Sequence, residues 1–97
     1  MYARVVTTQI QPGKLDEAIR LFQDSVVPAA KQAKGFKSIW LLTDRNTGRG
    51  IAVSLWATEA DRTASETSGY FQEQLAKFGD LIAAPPVTEH YEVSVQT

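Results

Sequence analysis

The apolar residues of this chain change their spacing as the sequence proceeds, and that change constrains the fold more than any other feature. Tyr2 to Ile10 is rich in Val and Thr, the composition of a strand. Gln11-Pro12-Gly13 stops it, because proline donates no N–H to a ladder and glycine accepts turn dihedrals. From Lys14 the spacing becomes three and four. Leu15, Ala18, Ile19, Phe22, Val26, Ala29, Ala30 and Ala33 then form one stripe of a long helix. Asp16 and Glu17 in its first turn and Lys31 and Lys34 in its last suit the macrodipole. Pro28 cannot bond to the carbonyl of Asp24 and predicts a kink, and Gly35 marks the stop.

Phe36–Thr43 and Gly50–Ala57 read as two strands, joined by the turn residues Asp44-Arg45-Asn46-Thr47-Gly48 into a hairpin. Thr58 is placed to cap a short helix running to about Glu66, with Asp61 at its third position. Gly69 interrupts. A second helical piece carries Tyr70, Phe71, Gln74, Leu75 and Phe78 and ends at Gly79. Pro85-Pro86 opens an extended segment, and Val87–Val95 is the last strand. The order β-α-β-β-α-β predicts an α+β, ferredoxin-like sandwich: a four-stranded antiparallel sheet with its helices on one face.

Alternation sorts the strand residues into two sets. One holds Ile39, Leu41, Ile51, Val53, Leu55, Val87, Tyr91 and Val93. The other holds Arg4, Val6, Thr8, Ser38, Trp40, Leu42, Ala52, Ser54, Trp56, Thr88 and His90. Neither set is polar enough for an open surface, and two helices cover only one face. A second copy of the chain is the simplest cover for the other, so a homodimer through the helix-free face is expected.

Composition removes several function classes. The 97 residues suit a single domain spanning 1–97, with 10 Lys+Arg against 11 Asp+Glu. That balance leaves no basic excess for nucleic acid. Arg49-Gly50-Ile51-Ala52-Val53-Ser54-Leu55 echoes the third-strand motif of RNA-recognition domains but lacks the aromatic rings that stack bases. No Cys and one His leave no thiol chemistry and no Cys- or multi-His metal set. No apolar run is long enough for a membrane span, and the first residues lack a leader's layout, so a cytoplasmic protein without membrane partners is expected.

Several of these signals occur together in one family. The Pro12-Gly13 turn into a helix, the Gly35-Phe36 entry to the second strand and the hairpin at Gly48 are three of them. Trp56 closing the third strand before Ala57-Thr58-Glu59-Ala60, and the Tyr70-Phe71 pair, are the others. In these the chain resembles the antibiotic biosynthesis monooxygenase family over nearly its whole length. The resemblance implies a dimeric α+β barrel, with a pocket in each subunit between sheet and helices. It further implies small oxygenases that act on aromatic or quinol substrates without metal or flavin. The haem-degrading branch pairs a Trp, matched by Trp56, with an Asn and a His. Those two positions fall on Val6 and Leu75, which speaks against haem breakdown. The polyketide-oxidising branch places an Asn four residues before that Trp, where this chain has Ala52.

Candidate site residues follow from chemistry and from the resemblance. Trp56 offers an indole N–H to a ligand oxygen and a ring to an aromatic body. His90 is the one side chain with an ordinary pKa near neutrality, suited to removing a phenol proton. Arg4 can hold an enolate oxygen by charge-assisted hydrogen bonds. Val6, Phe22, Tyr70 and Phe71 are expected to bind the substrate. The reading is a monooxygenase acting on a small aromatic or quinol substrate with no metal, haem or flavin. The alternative is a non-catalytic dimeric small-molecule-binding protein of the same fold.

Overall fold

Each run of alternating residues becomes a strand in the computed structural model, which describes residues 1–97. The strands are β1 (Tyr2–Gln9), β2 (Phe36–Asp44), β3 (Arg49–Trp56) and β4 (Val87–Glu92). They form one sheet in the order β2-β3-β1-β4, with every neighbouring pair antiparallel. β1 and β3 are therefore central, and a side chain on either has strand neighbours on both sides. Ile10 adds one further bridge, to Ile82. β4 ends at Glu92, three residues short of the expected Val95.

The long amphipathic stripe becomes α1 (Leu15–Leu21), a π-helical turn (Phe22–Val26) and α2 (Val27–Lys31). The kink expected at Pro28 takes the form of that wide turn just before it. Val27 N–H donates to Phe22 O, five residues back, and Pro28, which has no N–H, falls at the start of α2. α3 (Glu59–Thr67) opens as anticipated, with Thr58 Oγ1 accepting from Asp61 N–H at 3.1 Å. Gly69, at φ +88, separates it from α4 (Tyr70–Ala76), and a short 3-10 turn follows at Gly79–Leu81.

The helices lie on one face of the sheet, and the register shows which side chains face them. Arg4 pairs with Ser54, Val6 with Ala52 and Thr8 with Gly50. Ile39 pairs with Ser54 and Leu41 with Ala52. Ile39 and Leu41 thus share the helix side with Arg4 and Val6, while Ser38, Trp40 and Leu42 share the other with Ile51, Val53 and Leu55. This corrects the sorting expected for β2. Asp44 pairs with Arg49, so the hairpin loop holds four residues and not five. One residue fewer in the loop inverts the faces of one strand relative to the other. On the helix-free side Trp40, Leu42, Val87 and Tyr91 are each about half exposed. No helix is long and apolar enough to cross a membrane.

Candidate functional site

Between the helix side of the sheet and the helices lies a cavity of about 80 Å³. Val6, Ile10 and Leu41 form its floor, Phe22 comes from the π turn, and Phe71 and Phe78 close it from α4 and the residues after it. It is smaller than the ~150 Å³ cavity known to hold benzene in a protein core. A ring the size of benzene would fit only if part of the wall, such as α4, moved outward. That segment is suited to move, because α4 hydrogen-bonds only to its own flanking turns and sits between Gly69 and Gly79, both at positive φ.

Arg4 is the unusual wall residue. Its position on central β1 puts the side chain under the helices, where it is only 4 % exposed. The guanidinium lies 4.1 Å from the Phe71 ring centroid and 5.3 Å from that of Trp56. Nη1 donates to Ser65 Oγ at 2.7 Å, and Ser65 donates in turn to the carbonyl of Arg62 at 2.6 Å. No carboxylate comes within ion-pair distance of Arg4, and its remaining N–H groups have no protein acceptor. Burial holds the group below its usual pKa, opposed by Glu66 and Tyr70 and reinforced by Arg62. An arginine stays charged at neutral pH even so. The cavity thus holds an unpaired cation in a largely apolar lining, a setting that attracts an anionic oxygen.

Thr8, Thr43, Ser54, Tyr70 and Gln74 add polar groups to the same wall. Ser54 is the cross-strand partner of Arg4, on the same face. Its Oγ accepts from Trp56 Nε1 at 3.0 Å, which leaves its own O–H to donate. Trp56 is buried behind the cavity rather than on its wall. The Tyr70 phenol is pushed up by burial, with Arg4 pulling the other way. Gln74 is only 8 % exposed and lines the cavity, with its Oε1 accepting from Lys77 Nζ at 2.9 Å.

The structure therefore brings Arg4, Val6, Phe22, Tyr70 and Phe71 together on the cavity wall, with Trp56 one layer behind. His90 stands apart. It is the cross-strand partner of Arg4 but lies on edge strand β4, is not part of the wall, and bonds Glu66 Oε1 through Nε2 at 2.7 Å. Ser54, Ser65 and Gln74 were not anticipated as site residues. Ser54 had a visible signal, two residues before Trp56 and so on the same face. Gln74 had a weaker one, three positions after Phe71 on the same helix face. Ser65 had none.

The antibiotic biosynthesis monooxygenase family model matches residues 1–77. Over 77 residues the chain is 38% identical to the uncharacterized protein Rv2558 of Mycobacterium tuberculosis, which covers 78% of this chain and 33% of that protein. The chain thus spans about a third of this relative. Among solved structures, Rv0793 of Mycobacterium tuberculosis superposes with a TM-score of 0.76 at 15% identity, covering 98% of this chain and 96% of its own. A monooxygenase of Streptomyces coelicolor, solved with the ligand nanaomycin D, gives 0.73 at 18% identity, covering 99% and 89%. At these identities the two structures speak for the fold alone.

Proposed function

Because the chain belongs to the antibiotic biosynthesis monooxygenase family, we propose that it is a cofactor-independent monooxygenase that holds a small aromatic or quinol-type substrate in the cavity as its anion. The observation that carries this reading is Arg4, a buried cation with free N–H donors and no carboxylate partner. The ionised oxygen sits against Arg4 and the Ser54 hydroxyl, with Trp56 orienting Ser54 from behind. The ring lies among Val6, Phe22, Tyr70 and Phe71. Deprotonation makes the ring electron-rich, and the adjacent carbon transfers electrons to dioxygen and bonds to it. The resulting hydroperoxide loses water, which converts a CH2 group to a carbonyl. One oxygen atom ends in the product and one in water, and the substrate supplies all four electrons. Arg4 favours ionisation by stabilising the anion. The substrate enters already as its anion, its proton left to the solvent, since His90 is held by Glu66 away from the wall.

The half-exposed residues Trp40, Leu42, Val87 and Tyr91 support a homodimer in which two sheets pack through their helix-free faces. The second reading, a non-catalytic binding protein, is favoured by the wall itself. Its ionisable residues are Arg4 and Tyr70 alone, so no carboxylate or imidazole base lines the cavity. Oxygen uptake with anthrone-like or dihydroxynaphthalene substrates separates the two. The enzyme consumes oxygen above the buffer rate, with uptake lost in Arg4→Met. If the compounds bind and uptake stays at the buffer rate, the binding reading stands.

A further inference from the structure

The orientation of Gln74 adds a second requirement to the ligand. An amide side chain can be turned either way, but its neighbour decides here. Lys77 Nζ is a donor only, so the group 2.9 Å from it is the Gln74 carbonyl oxygen. The NH2 group therefore faces away from Lys77, and no protein acceptor meets it. Gln74 lines the cavity and is 8 % exposed. In a side chain this little exposed, a ligand oxygen that accepts from the NH2 group gains a hydrogen bond that a ligand without such an oxygen forgoes.

We infer that Gln74 is a specificity-determining residue that reads a second oxygen of the ligand. The preferred ligand class is thus a small aromatic with two oxygen functions, one acidic at Arg4 and one hydrogen-bond acceptor at Gln74. This deepens the anion-at-Arg4 reading and rests on it. Arg4 selects charge, Gln74 selects an acceptor, and the apolar wall between them selects a ring. A phenol lacking the second oxygen leaves the Gln74 amide unpaired. A nitro- or carbonyl-substituted phenol satisfies both ends.

The test uses 3-nitrophenol and 4-nitrophenol, which differ in the separation of their oxygens, with phenol and nitrobenzene as one-ended controls. Binding is followed by calorimetry, and ionisation of the bound nitrophenols by their visible phenolate absorbance. The wild-type chain is expected to bind the better nitrophenol as its phenolate, more tightly than either control. Gln74→Met, close in shape, should weaken that nitrophenol about 3- to 10-fold and leave phenol within about twofold. Gln74→Glu, which keeps the Lys77 contact and loses the donor, should weaken it at least as much. Arg4→Met should weaken the nitrophenol and phenol together and leave nitrobenzene unchanged. If Arg4→Met acts in this way but the Gln74 variants weaken the nitrophenol and phenol equally, or neither, the Gln74 inference alone fails. If phenolate affinity ignores Arg4, or no nitrophenol binds the wild type, the underlying reading fails with it.

Discussion

Arg4→Met tests whether the buried cation is kept for binding or for stability. Methionine fills similar space with an unbranched apolar chain. Three contributions are lost. The charge-assisted bond to Ser65 at 2.7 Å contributes about 1.5–3 kcal/mol. The contacts with Phe71 at 4.1 Å and Trp56 at 5.3 Å contribute about 1 kcal/mol each. Against these stands the penalty for holding an unpaired ion out of water, several kcal/mol. Ser65 is not stranded by the change, since it still donates to the Arg62 carbonyl. The two sides nearly cancel, so stability should change by no more than about 1 kcal/mol in either direction. For a domain this size that is a Tm shift within roughly 8 °C. Binding behaves differently, because the ligand's anionic oxygen loses its partner and affinity should fall about 10- to 100-fold. Calorimetric melting and titration with a phenolate read the two quantities separately. A fall in Tm beyond about 12 °C, the result expected when one partner of a buried ion pair is removed, would show that Arg4 serves the fold. Unchanged phenolate affinity would refute the anion site.

The other expectations address assembly, alkaline stability and backbone strain. Trp40→Asp should shift the chain from dimer to monomer in light scattering at micromolar concentration, and a monomeric wild type would refute the sheet-to-sheet dimer. Burial raises the Tyr70 pKa in the folded state. Above about pH 10 the unfolded chain gives up that proton first, so stability falls as pH rises further. Tyr70→Phe should flatten this alkaline limb in melts run from pH 8 to 11, and an unchanged slope would argue against burial of the phenol. Gly35 sits at φ +79, and an alanine Cβ there would stand 2.6 Å from Asp61 Cβ. Gly35→Ala should therefore lose about 1–2 kcal/mol, read as a Tm lower by roughly 5–15 °C; a neutral result would mean that the loop relaxes freely.

What the sequence made legible was periodicity, because side-chain spacing is a local property of each element. The order of elements along the chain follows from it, and residue type added the capping by Thr58 and the interruption at Gly69. The faces of β2 did not follow, since they turn on whether Asp44 belongs to the loop or to the ladder, and Asp44 is at home in either. The cavity wall was legible in part, since Arg4, Val6, Phe22, Tyr70 and Phe71 line it while Trp56 and His90 do not. The resemblance directed attention to positions 6, 52 and 75 for polar groups, and Val6, Ala52 and Leu75 are all apolar wall residues. The polar groups stand beside them, at Arg4, Ser54 and Gln74. Val6–Ala52 and Arg4–Ser54 are successive cross-strand pairs on one face, so the polar end lies one pair further along, next to Trp56. An arginine in a Val- and Thr-rich strand has no local mark of burial. Its surroundings come from Ser65 and Phe71, more than sixty residues away in the chain, and only α3 and α4 folding onto β1 turn Arg4 into a cavity cation. On the proposed reading, the same displacement would let a largely apolar wall select an anion. One desolvated guanidinium interacts with an oxyanion more strongly than several hydrated polar groups would, so the proposed selectivity would rest on keeping water away from Arg4, over which Phe71 of α4 stacks.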